Sequence, residues 1–250
     1  MQITAIILAK NEESRIKEAI QTVSFCDEIL VIDDESTDKT AEIVKKTGAN
    51  FVSHPKQNGF AGQRNWAMEQ VKHDWTLFID ADEVVSEELR DEIEHIVKQK
   101  HSDVFTYFIP RRDFFWNHEM KYGETKKARS TGIVRLMKKG SGVWMGSVHE
   151  IFFAAGKTGT LTGFINHASH TSLADFIEDI NVYSTMRAEE LCKQEKRVSV
   201  FELIFFPFGK FMYTYFILGG FLDGAAGFVY SFVMSFHSFL VRAKILVRTL

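Results

Sequence analysis

The chain is predicted to fold as an α/β domain, with a mostly parallel sheet covered by helices on both faces, followed by a C-terminal aromatic helical segment. Two observations predict this architecture. Short apolar, β-branched runs alternate with helical stretches over the first hundred residues, a pattern typical of strand–helix repeats around a parallel sheet. In addition, 11 of the 23 Phe residues fall between Phe201 and Phe239, which marks a separate module.

Each predicted strand is a short apolar run, and each predicted helix is a longer stretch with apolar residues at helical spacing. We expect strands over Ile3–Leu8, Glu28–Asp33, Ala49–Ser53, Thr76–Asp80 and Val104–Ile109, and helices over Glu12–Val23, Thr37–Thr47, Ala61–Lys72 and Glu87–Lys98. Strands that are apolar on both faces and alternate with helices indicate a parallel sheet with right-handed crossovers. This is an architecture typical of nucleotide-binding domains.

Residues 111 to 195 are predicted to complete the same domain. Short strands over Ile133–Met137, Val148–Phe153 and Leu161–His167 alternate with charged, glycine-containing connections. Ser172 and Asp175 have the spacing of a capping box, so one polar amphipathic helix is expected from there to Glu195. The prediction is therefore a domain over residues 1–195, made of a first half (1–110), a second half (111–170) and a helix (171–195), and a separate segment over residues 196–250.

The separate segment is apolar and ends in basic residues. Gly224–Val241 contains no Lys, Arg, Asp or Glu over 18 residues, and Arg242, Lys244 and Arg248 follow it. Eighteen helical residues rise about 27 Å, slightly less than the hydrocarbon core of about 30 Å. We therefore predict a helical hairpin that lies in the membrane interface, with its cations on anionic headgroups. The alternative is a buried helical pair or a dimer interface.

Charge and cysteine content limit the classes of function. Net charge is −3, but residues 193 to 250 hold seven Lys or Arg against three Asp or Glu, which makes the tail basic and the body acidic. An acidic body without a basic, aromatic stripe argues against nucleic-acid binding. The two cysteines, Cys26 and Cys192, have neither paired nor metal-ligand spacing. Because the N-terminus also reads as a strand rather than a signal sequence, a reduced cytosolic setting is expected.

The most informative motif is the acidic triplet Asp80-Ala81-Asp82 at the end of the predicted strand Thr76–Asp80. Open α/β sheets bind ligands at the carboxyl ends of their strands. Two carboxylates at this place are suited to Mg²⁺ or Mn²⁺, which prefer oxygen ligands and neutralise a departing diphosphate. His167, at the end of the last predicted strand, is a candidate to complete the metal shell, and its alternative role is structural.

Three further motifs lie at the exits of strands or the starts of helices. Asp33-Asp34-Glu35-Ser36-Thr37-Asp38 offers carboxylates to a ribose or base, although Ser36 or Thr37 could instead cap the next helix. Leu8-Ala9-Lys10-Asn11-Glu12-Glu13 could line the same pocket or simply begin a helix. In Asn58-Gly59-Phe60-Ala61-Gly62-Gln63-Arg64-Asn65 the glycines permit close backbone approach, and Arg64 offers a planar fork for a phosphate. The sequence has no Walker or Gly-x-Gly-x-x-Gly loop.

These four motifs, in this order and spacing, resemble family 2 of the glycosyltransferases, whose members have the GT-A fold. The later segment Trp144-Met145-Gly146-Ser147-Val148-His149-Glu150, with the Phe-rich tail and Leu222-Asp223-Gly224, resembles the bacterial subgroup that contains the lipopolysaccharide core β-1,4-glucosyltransferase. The resemblance implies an inverting, metal-dependent transfer of a sugar, with glucose as the expected sugar, from a UDP-sugar.

The resemblance also implies roles for the matching positions. The nucleoside contacts would be Ala9, Asn11, Glu13 and Asp34. The diphosphate or sugar contacts would be Arg64, Asn65, Asp80 and Ala81, and the carboxylates of Asp80 and Asp82 would hold the metal, Mg²⁺ or Mn²⁺. His167 is added to this metal shell from its position at the end of the last predicted strand.

The position of the catalytic base departs from the family pattern. Many family members carry a Glu-Asp or Thr-Glu-Asp sequence whose Asp is the base, and His149-Glu150 stands in its place here. An inverting displacement needs one base that takes the proton of the acceptor hydroxyl. We predict Glu150 as that base. One alternative is that His149 is the base or a structural residue, and the other is that neither residue is the base.

The predicted acceptor is a lipopolysaccharide-core or similar membrane glycolipid. The protein is expected at the cytoplasmic face of the bacterial inner membrane, as a peripheral or monotopic protein. It could be a monomer or a homo-oligomer. The cations Lys126, Lys127, Arg129 and Arg135 could meet an anionic acceptor or be solvated, and Trp116 and Trp144 could stack on its sugar or pack. Two alternatives are a polyprenyl-phosphate sugar synthase and a non-catalytic, membrane-tethered sugar-nucleotide binder. A nucleotidyltransferase is disfavoured because the exit of the first strand has no glycine.

Overall fold

The computed structural model describes residues 2–56, 59–99, 102–146, 150–170 and 172–249. The strands in these ranges are β1 (Ile3–Ala9), β2 (Glu28–Asp33), β3 (Asn50–Ser53), β4 (Trp75–Asp80), β5 (Glu83–Val85), β6 (Val104–Ile109), β7 (Arg111–Phe115), β8 (His118–Met120), β9 (Ile133–Lys138), β10 (Gly142–Met145), β11 (Ile151–Ala154), β12 (Lys157–Thr160) and β13 (Ile165–His170). The helices are α1 (Ile16–Thr22), α2 (Thr40–Thr47), α3 (Gly59–Gln70), α4 (Glu87–Lys98), α5 (Lys126–Ser130), α6 (Leu173–Lys193), α7 (Val200–Met212) and α8 (Gly224–Thr249).

The chain divides into two compact units, residues 1–111 with 130–167 and residues 112–129 with 168–250. In the first unit, seven of the described strands form a sheet in the order β12-β6-β9-β4-β1-β2-β3. β1 is parallel to β2 and β4, and β2 is parallel to β3. β9 alone runs against its neighbours β4 and β6 in this described sheet. The predicted mostly parallel sheet is confirmed.

The central strands are apolar on both sides because each side faces a separate core. Ile7 packs with Ile16 and other buried residues in one core, while Ile6 packs with Phe78 in the other. All four side chains are fully buried. A shift of one residue would exchange the two faces of a strand, so this burial specifies the register. That register brings the carboxyl ends of β1, β2 and β4 to the same edge of the sheet.

Most predicted elements are present, and β2, β6 and α4 have the predicted ends. The first two helices begin later than predicted, at Ile16 and Thr40. The N–H groups of Glu12 and Glu13 are bound instead by Thr40 Oγ1 and Asp38 Oδ2 of the neighbouring loop, at 2.8 and 3.0 Å. Neither Ser36 nor Thr37 caps α2, because Asp38 Oδ1 accepts the N–H of Thr40.

The last predicted strands are also displaced. β11 begins at Ile151 and β13 at Ile165, later than the patterns predict. Val148, the predicted start of the earlier strand, lies outside the described residues.

The second unit contains the antiparallel β7–β8 hairpin and the helices α6, α7 and α8. Ser172 caps α6 through the predicted capping box with Asp175, which is confirmed. Phe176 and Ile180 of α6 share a buried cluster with Val233 of α8. Because α6 packs on the tail in this way, it groups with the tail, and the units do not divide at the predicted boundary between residues 195 and 196.

The apolar tail forms a helical hairpin. A π-helical turn over Tyr213–Ile217 and a 3₁₀ turn over Gly220–Asp223 connect α7 to α8. Asp223 is buried and accepts the N–H groups of Lys121 and Tyr122, at 3.1 and 2.9 Å. This carboxylate therefore ties the turn of the hairpin to the segment that follows β8.

Two stretches of the described chain are long and apolar enough to cross a membrane. They span Val200–Ile217 and Gly220–Arg248, and only 6% of the first is buried. These apolar helices are consistent with the membrane-interacting segment that the sequence predicts.

Candidate active site

The acidic triplet lies at the carboxyl edge of the sheet in the first unit. Asp80 is the last residue of β4 and pairs in register with Leu8 of β1, while Ala9 pairs with Asp33 of β2. The N–H of Ala81 donates to the carbonyl of Leu8 at 3.1 Å. The parallel pairing therefore brings the acidic ends of β4 and β2 and the exit of β1 to one edge, where such sheets bind ligands.

Both oxygens of Asp80 are bound by guanidinium groups. Oδ1 lies 3.0 Å from Nη2 of Arg64, and Oδ2 lies 2.5 Å from Nη2 of Arg135. Burial opposes ionisation of Asp80, but the charges of Arg135 and Arg64 outweigh it and hold the pKa of Asp80 well below its usual range. Asp80 is therefore a fixed carboxylate rather than a proton carrier.

Arg64 joins Asp80 to the predicted base. Its Nε donates to Oε1 of Glu150 at 3.0 Å, while Nη2 binds Asp80. The guanidinium carbon lies 5.2 Å from the ring centre of Phe78 and 5.1 Å from that of Trp144. Its Nη1 is buried and has no hydrogen-bond partner in the described part of the chain. One donor of a buried arginine is thus left for a ligand at this place.

Glu83 and Arg135 belong to the same cluster, and sequence reasoning missed this arrangement. Glu83 is fully buried and accepts the N–H of Asp80 at 3.0 Å and a donor of Arg135 at 2.8 Å. Arg111 lies 3.5 Å away from the same carboxylate. Arg135 was expected to meet an acceptor or to be solvated, and this expectation is wrong because its side chain is buried between two carboxylates. The signal in the sequence was the position of Glu83 directly after the acidic triplet.

Asp82 lies beside His167. Oδ2 of Asp82 is 3.2 Å from Nε2 of His167. Burial of Asp82 raises its pKa and the charge of His167 lowers it, and the net shift of the Asp82 pKa is downward. The structure thus brings together a carboxylate and a histidine that the sequence analysis named as candidate metal ligands.

The candidate ligands for a divalent cation at this edge are Asp80, Asp82 and His167. The described residues contain no group of three or more His, Cys, Asp or Glu side chains placed to hold a metal ion. Mg²⁺ at nucleotide sites is usually bound by only one or two carboxylates, and phosphates and waters complete its shell. Asp82 and His167 fit such a site. Asp80 fits less directly, because arginines occupy both of its oxygens.

The second acidic motif forms the other end of this edge. Asp34 is buried, its N–H donates to the carbonyl of Ala9 at 2.9 Å, and its carboxylate binds Lys10 Nζ at 3.0 Å. The N–H of Lys56 donates to the same carboxylate at 2.7 Å. Oδ1 of Asp33 is buried without a hydrogen-bond partner among the described residues. The predicted pair Ala9 and Asp34 is therefore together, with a buried acceptor beside it.

Three side chains that were predicted to contact the UDP-sugar form hydrogen bonds to other parts of the protein. Asn11 Oδ1 accepts the N–H of Thr37 at 2.8 Å, and Glu13 Oε2 accepts the N–H of Lys39 at 2.9 Å. The amide of Asn65 pairs with the backbone of Trp144 through two hydrogen bonds of 2.9 Å. These polar groups position the loops of the site.

Three further candidates are His149, Trp144 and Trp116. His149 lies outside the described residues. Trp144 is buried between Phe78 and Phe152, with ring centres at 5.7 and 5.3 Å, so it packs. In the second unit, Trp116 is half exposed and stacks on Phe115.

The predicted acceptor cations of the second unit differ in their surroundings. Arg129 pairs with Glu119, whereas Lys126 and Lys127 are exposed.

Comparisons with known proteins show the family of this chain. The model of the family described as glycosyl transferase family 2 matches residues 4–152. The lipopolysaccharide core biosynthesis glycosyltransferase LpsC of Rhizobium meliloti is 30% identical over 257 residues, which cover 99% of this chain and 93% of that protein. An uncharacterized glycosyltransferase of Rickettsia typhi is 33% identical over 255 residues, which cover 98% of this chain and 86% of that protein.

A solved structure supports the same fold. The crystal structure of residues 1–349 of S. aureus TarS aligns with a TM-score of 0.50 at 16% identity, covering 98% of this chain and 82% of that one. The predicted GT-A fold is confirmed by this likeness and by the family match. The chain belongs to glycosyl transferase family 2, and it is a glycosyltransferase.

Proposed function

We propose that this glycosyltransferase is an inverting, divalent-metal-dependent enzyme that transfers a sugar, glucose by its subgroup resemblance, from a UDP-sugar to a lipopolysaccharide-core or similar membrane glycolipid. The observation that carries the proposal is the cluster of Asp80, Asp82, Arg64 and Glu150 in the first unit. The name of the relative LpsC supports the acceptor class. TarS, which has been crystallised with UDP-GlcNAc, is an example of a protein of this fold that binds a UDP-sugar.

The donor would bind along the carboxyl edge of the sheet. The nucleoside would lie toward Asp33 and Asp34, where a buried carboxylate oxygen has no partner in the described chain. The diphosphate would lie toward Asp82 and His167. The free Nη1 of Arg64 would then face the sugar or the phosphate.

The chemistry at the other end of the donor needs charge neutralisation and a proton acceptor. A divalent cation, if held by Asp82 and His167, would neutralise the charge of the leaving diphosphate. Asp80 keeps Arg64 in place, and Arg64 holds Oε1 of Glu150. This leaves Oε2 of Glu150 to take the proton of the acceptor hydroxyl as the new bond forms.

The experiment that tests the proposal is a thermal-shift panel of UDP-, GDP-, CMP- and dTDP-sugars with and without Mn²⁺. A ligand at a hundred times its Kd stabilises a protein by about 2.7 kcal/mol, which raises Tm by several degrees for a chain of this size. We expect a clear rise for UDP-sugars with Mn²⁺. The Asp82→Asn variant should lose the part of the Tm rise that depends on Mn²⁺. The control Glu42→Gln, in the exposed pair with Lys46, should keep it.

Two outcomes would contradict this assignment. Equal Tm shifts for all nucleotide sugars would contradict a UDP-sugar donor. A Tm shift with UDP-sugars that does not depend on Mn²⁺ would contradict a bound cation. The acceptor is tested separately by partition of labelled product. Labelled product recovered from the organic phase as a polyprenyl phosphate sugar would show that polyprenyl phosphate, and not a glycolipid, is the acceptor. Binding of the UDP-sugar without any turnover would favour a non-catalytic binder.

A further inference from the structure

A groove lies between α7 and α8 within the second unit. Its volume is about 510 Å³, and it is lined by Phe205, Phe206, Gly209, Lys210, Tyr213, Ser238 and Arg242. Three of these side chains are aromatic, and two are cationic. Aromatic walls with a few convergent polar groups are typical of sites for small amphipathic ligands.

Arg242 is the cation of this groove without a carboxylate partner. Its Nη1 donates to the carbonyl oxygen and to Oγ of Ser238, at 3.0 and 2.7 Å. Its guanidinium carbon lies 4.0 Å from the ring centre of Phe206. Burial lowers the pKa of Arg242, an effect that the charge of Glu202 opposes. Since ion pairs in the described chain do not include Arg242, its remaining donors are suited to an incoming anion.

Lys210 differs from Arg242 because it already has a partner. Its Nζ lies 2.5 Å from Oε1 of Glu124. The cation of the groove that forms no ion pair within the described residues is therefore Arg242. This makes Arg242 the residue expected to bind an anion most directly.

The surface beside the groove is apolar. Phe201, Phe205 and Phe208 of α7 are 74%, 63% and 63% exposed, and the stretch Val200–Ile217 is almost unburied. Contiguous exposed apolar surface of this kind marks an interaction site. Aromatic rings next to a cation are suited to the region of a membrane where acyl chains meet charged headgroups.

We propose that this groove binds the phosphate headgroup of an anionic phospholipid, with Arg242 as the phosphate ligand and an acyl chain along Phe205 and Phe206. Charge complementarity selects an anionic headgroup, and the aromatic walls select a lipid over a soluble anion. The inference does not depend on the proposed sugar transfer, because lipid binding is measured without donor or acceptor.

The test is flotation of the full chain with vesicles of phosphatidylcholine, alone or mixed with phosphatidylglycerol. Arg242→Gln should weaken binding to the mixed vesicles about tenfold, which corresponds to about 1.4 kcal/mol, and should leave binding to phosphatidylcholine unchanged. The matched control is Arg248→Gln on the same helix, whose side chain pairs with Glu189 outside the groove. At about 1 M salt, charges are screened beyond about 3 Å. The loss of vesicle binding caused by Arg242→Gln should therefore persist, and any loss caused by Arg248→Gln should vanish.

Equal losses for the two variants, or a loss from Arg242→Gln that vanishes at high salt, would overturn the proposal. Displacement of the protein from vesicles by inorganic phosphate would show a site for a soluble anion instead. A lipid-independent dimer, seen by sedimentation and broken by Arg242→Gln, would show that a second copy occupies the groove. If Arg242→Gln does not fold, Arg242→Lys replaces it with Arg248→Lys as control, and a loss confined to Arg242→Lys is expected.

Discussion

Arg64 holds two carboxylates of the candidate site at fixed positions. Its Nε binds Glu150 and its Nη2 binds Asp80. Asp80 also binds Arg135, which in turn binds Glu83. Negative and positive side chains therefore alternate along the cluster. Removing one member of such a buried cluster leaves an uncompensated charge, which costs more than the pair contributes. Substitutions that test chemistry here must therefore keep the hydrogen bonds.

Glu150→Gln meets this condition. Its amide oxygen can still accept from Arg64, but the side chain can no longer take a proton. We expect turnover to fall by a factor of about 10²–10⁴, with donor affinity nearly unchanged. The measurement is single-turnover sugar transfer together with UDP-sugar binding by calorimetry.

His149→Asn is the companion variant. If Glu150 is the base, this variant should retain far more turnover than Glu150→Gln. Near-normal turnover for Glu150→Gln with a large loss for His149→Asn would move the base to His149. Near-normal turnover in both would place the base elsewhere.

The two cysteines should differ in reactivity. Cys26 is buried, and this burial, with the charge of Asp27, raises the pKa of its thiol well above its usual range. The thiolate is the reactive form, so Cys26 stays protonated and unreactive in the folded protein at pH 8. Cys192 is partly exposed.

Alkylation with iodoacetamide followed by mass spectrometry checks this prediction. Cys192 should be modified at least about tenfold faster than Cys26, since burial both suppresses the thiolate of Cys26 and limits access to it. In urea the two rates should become similar. Equal rates in the folded protein would contradict the buried position of Cys26.

At the scale of elements, two glycines on either side of β9 form a matched pair. Gly132 and Gly140 both have a positive φ, of 79° and 80°. A Cβ on Gly132 would lie 2.6 Å from the carbonyl carbon of Ile109, whereas a Cβ on Gly140 would meet nothing within 4 Å. The two positions therefore separate backbone strain from steric contact.

Gly140→Ala should destabilise the fold by about 1–2 kcal/mol, the cost of a left-handed conformation for an L-residue. Gly132→Ala should cost about 1–3 kcal/mol more, because β9 must move away from β6. Urea unfolding of the two variants measures the difference. Equal unfolding free energies would contradict the close approach of Gly132 to Ile109.

The elements that sequence patterns predict best are those that their own residues determine. β2 and α4 have their predicted ends because apolar periodicity and the Ser86 cap are local. The start of α1 was predicted too early, since Glu12 and Glu13 are bound by side chains from another loop. Interactions between loops distant in sequence leave no periodic signal.

The candidate site shows the same division between local and non-local information. The place of Asp80 and Asp82 at the edge of the sheet could be predicted because they lie at the end of a strand. The contact between Asp82 and His167 joins residues far apart in the sequence, and the role of His167 at a metal stays a prediction. The burial of Arg135 against Glu83 could not be predicted, because it depends on the antiparallel insertion of β9 beside β4. Strand patterns alone do not reveal such an insertion.

At the scale of the whole molecule, each unit has its own character. The first unit carries the acidic cluster and the sheet, and the second carries the apolar hairpin with exposed aromatic side chains. A transferase that takes a soluble donor and a membrane acceptor needs both kinds of surface in one chain. The proposed function and the proposed lipid groove are tested independently because they rest on different units.

The most direct test of the central claim is transfer of labelled sugar from UDP-glucose to a membrane glycolipid extract, with and without a chelator. The account predicts transfer that chelation abolishes and Mn²⁺ restores, that Asp82→Asn removes, and that the exposed control Glu42→Gln leaves intact. Transfer that continues in the presence of chelator and in Asp82→Asn would contradict the assignment of Asp82 and His167 to a metal-dependent donor site.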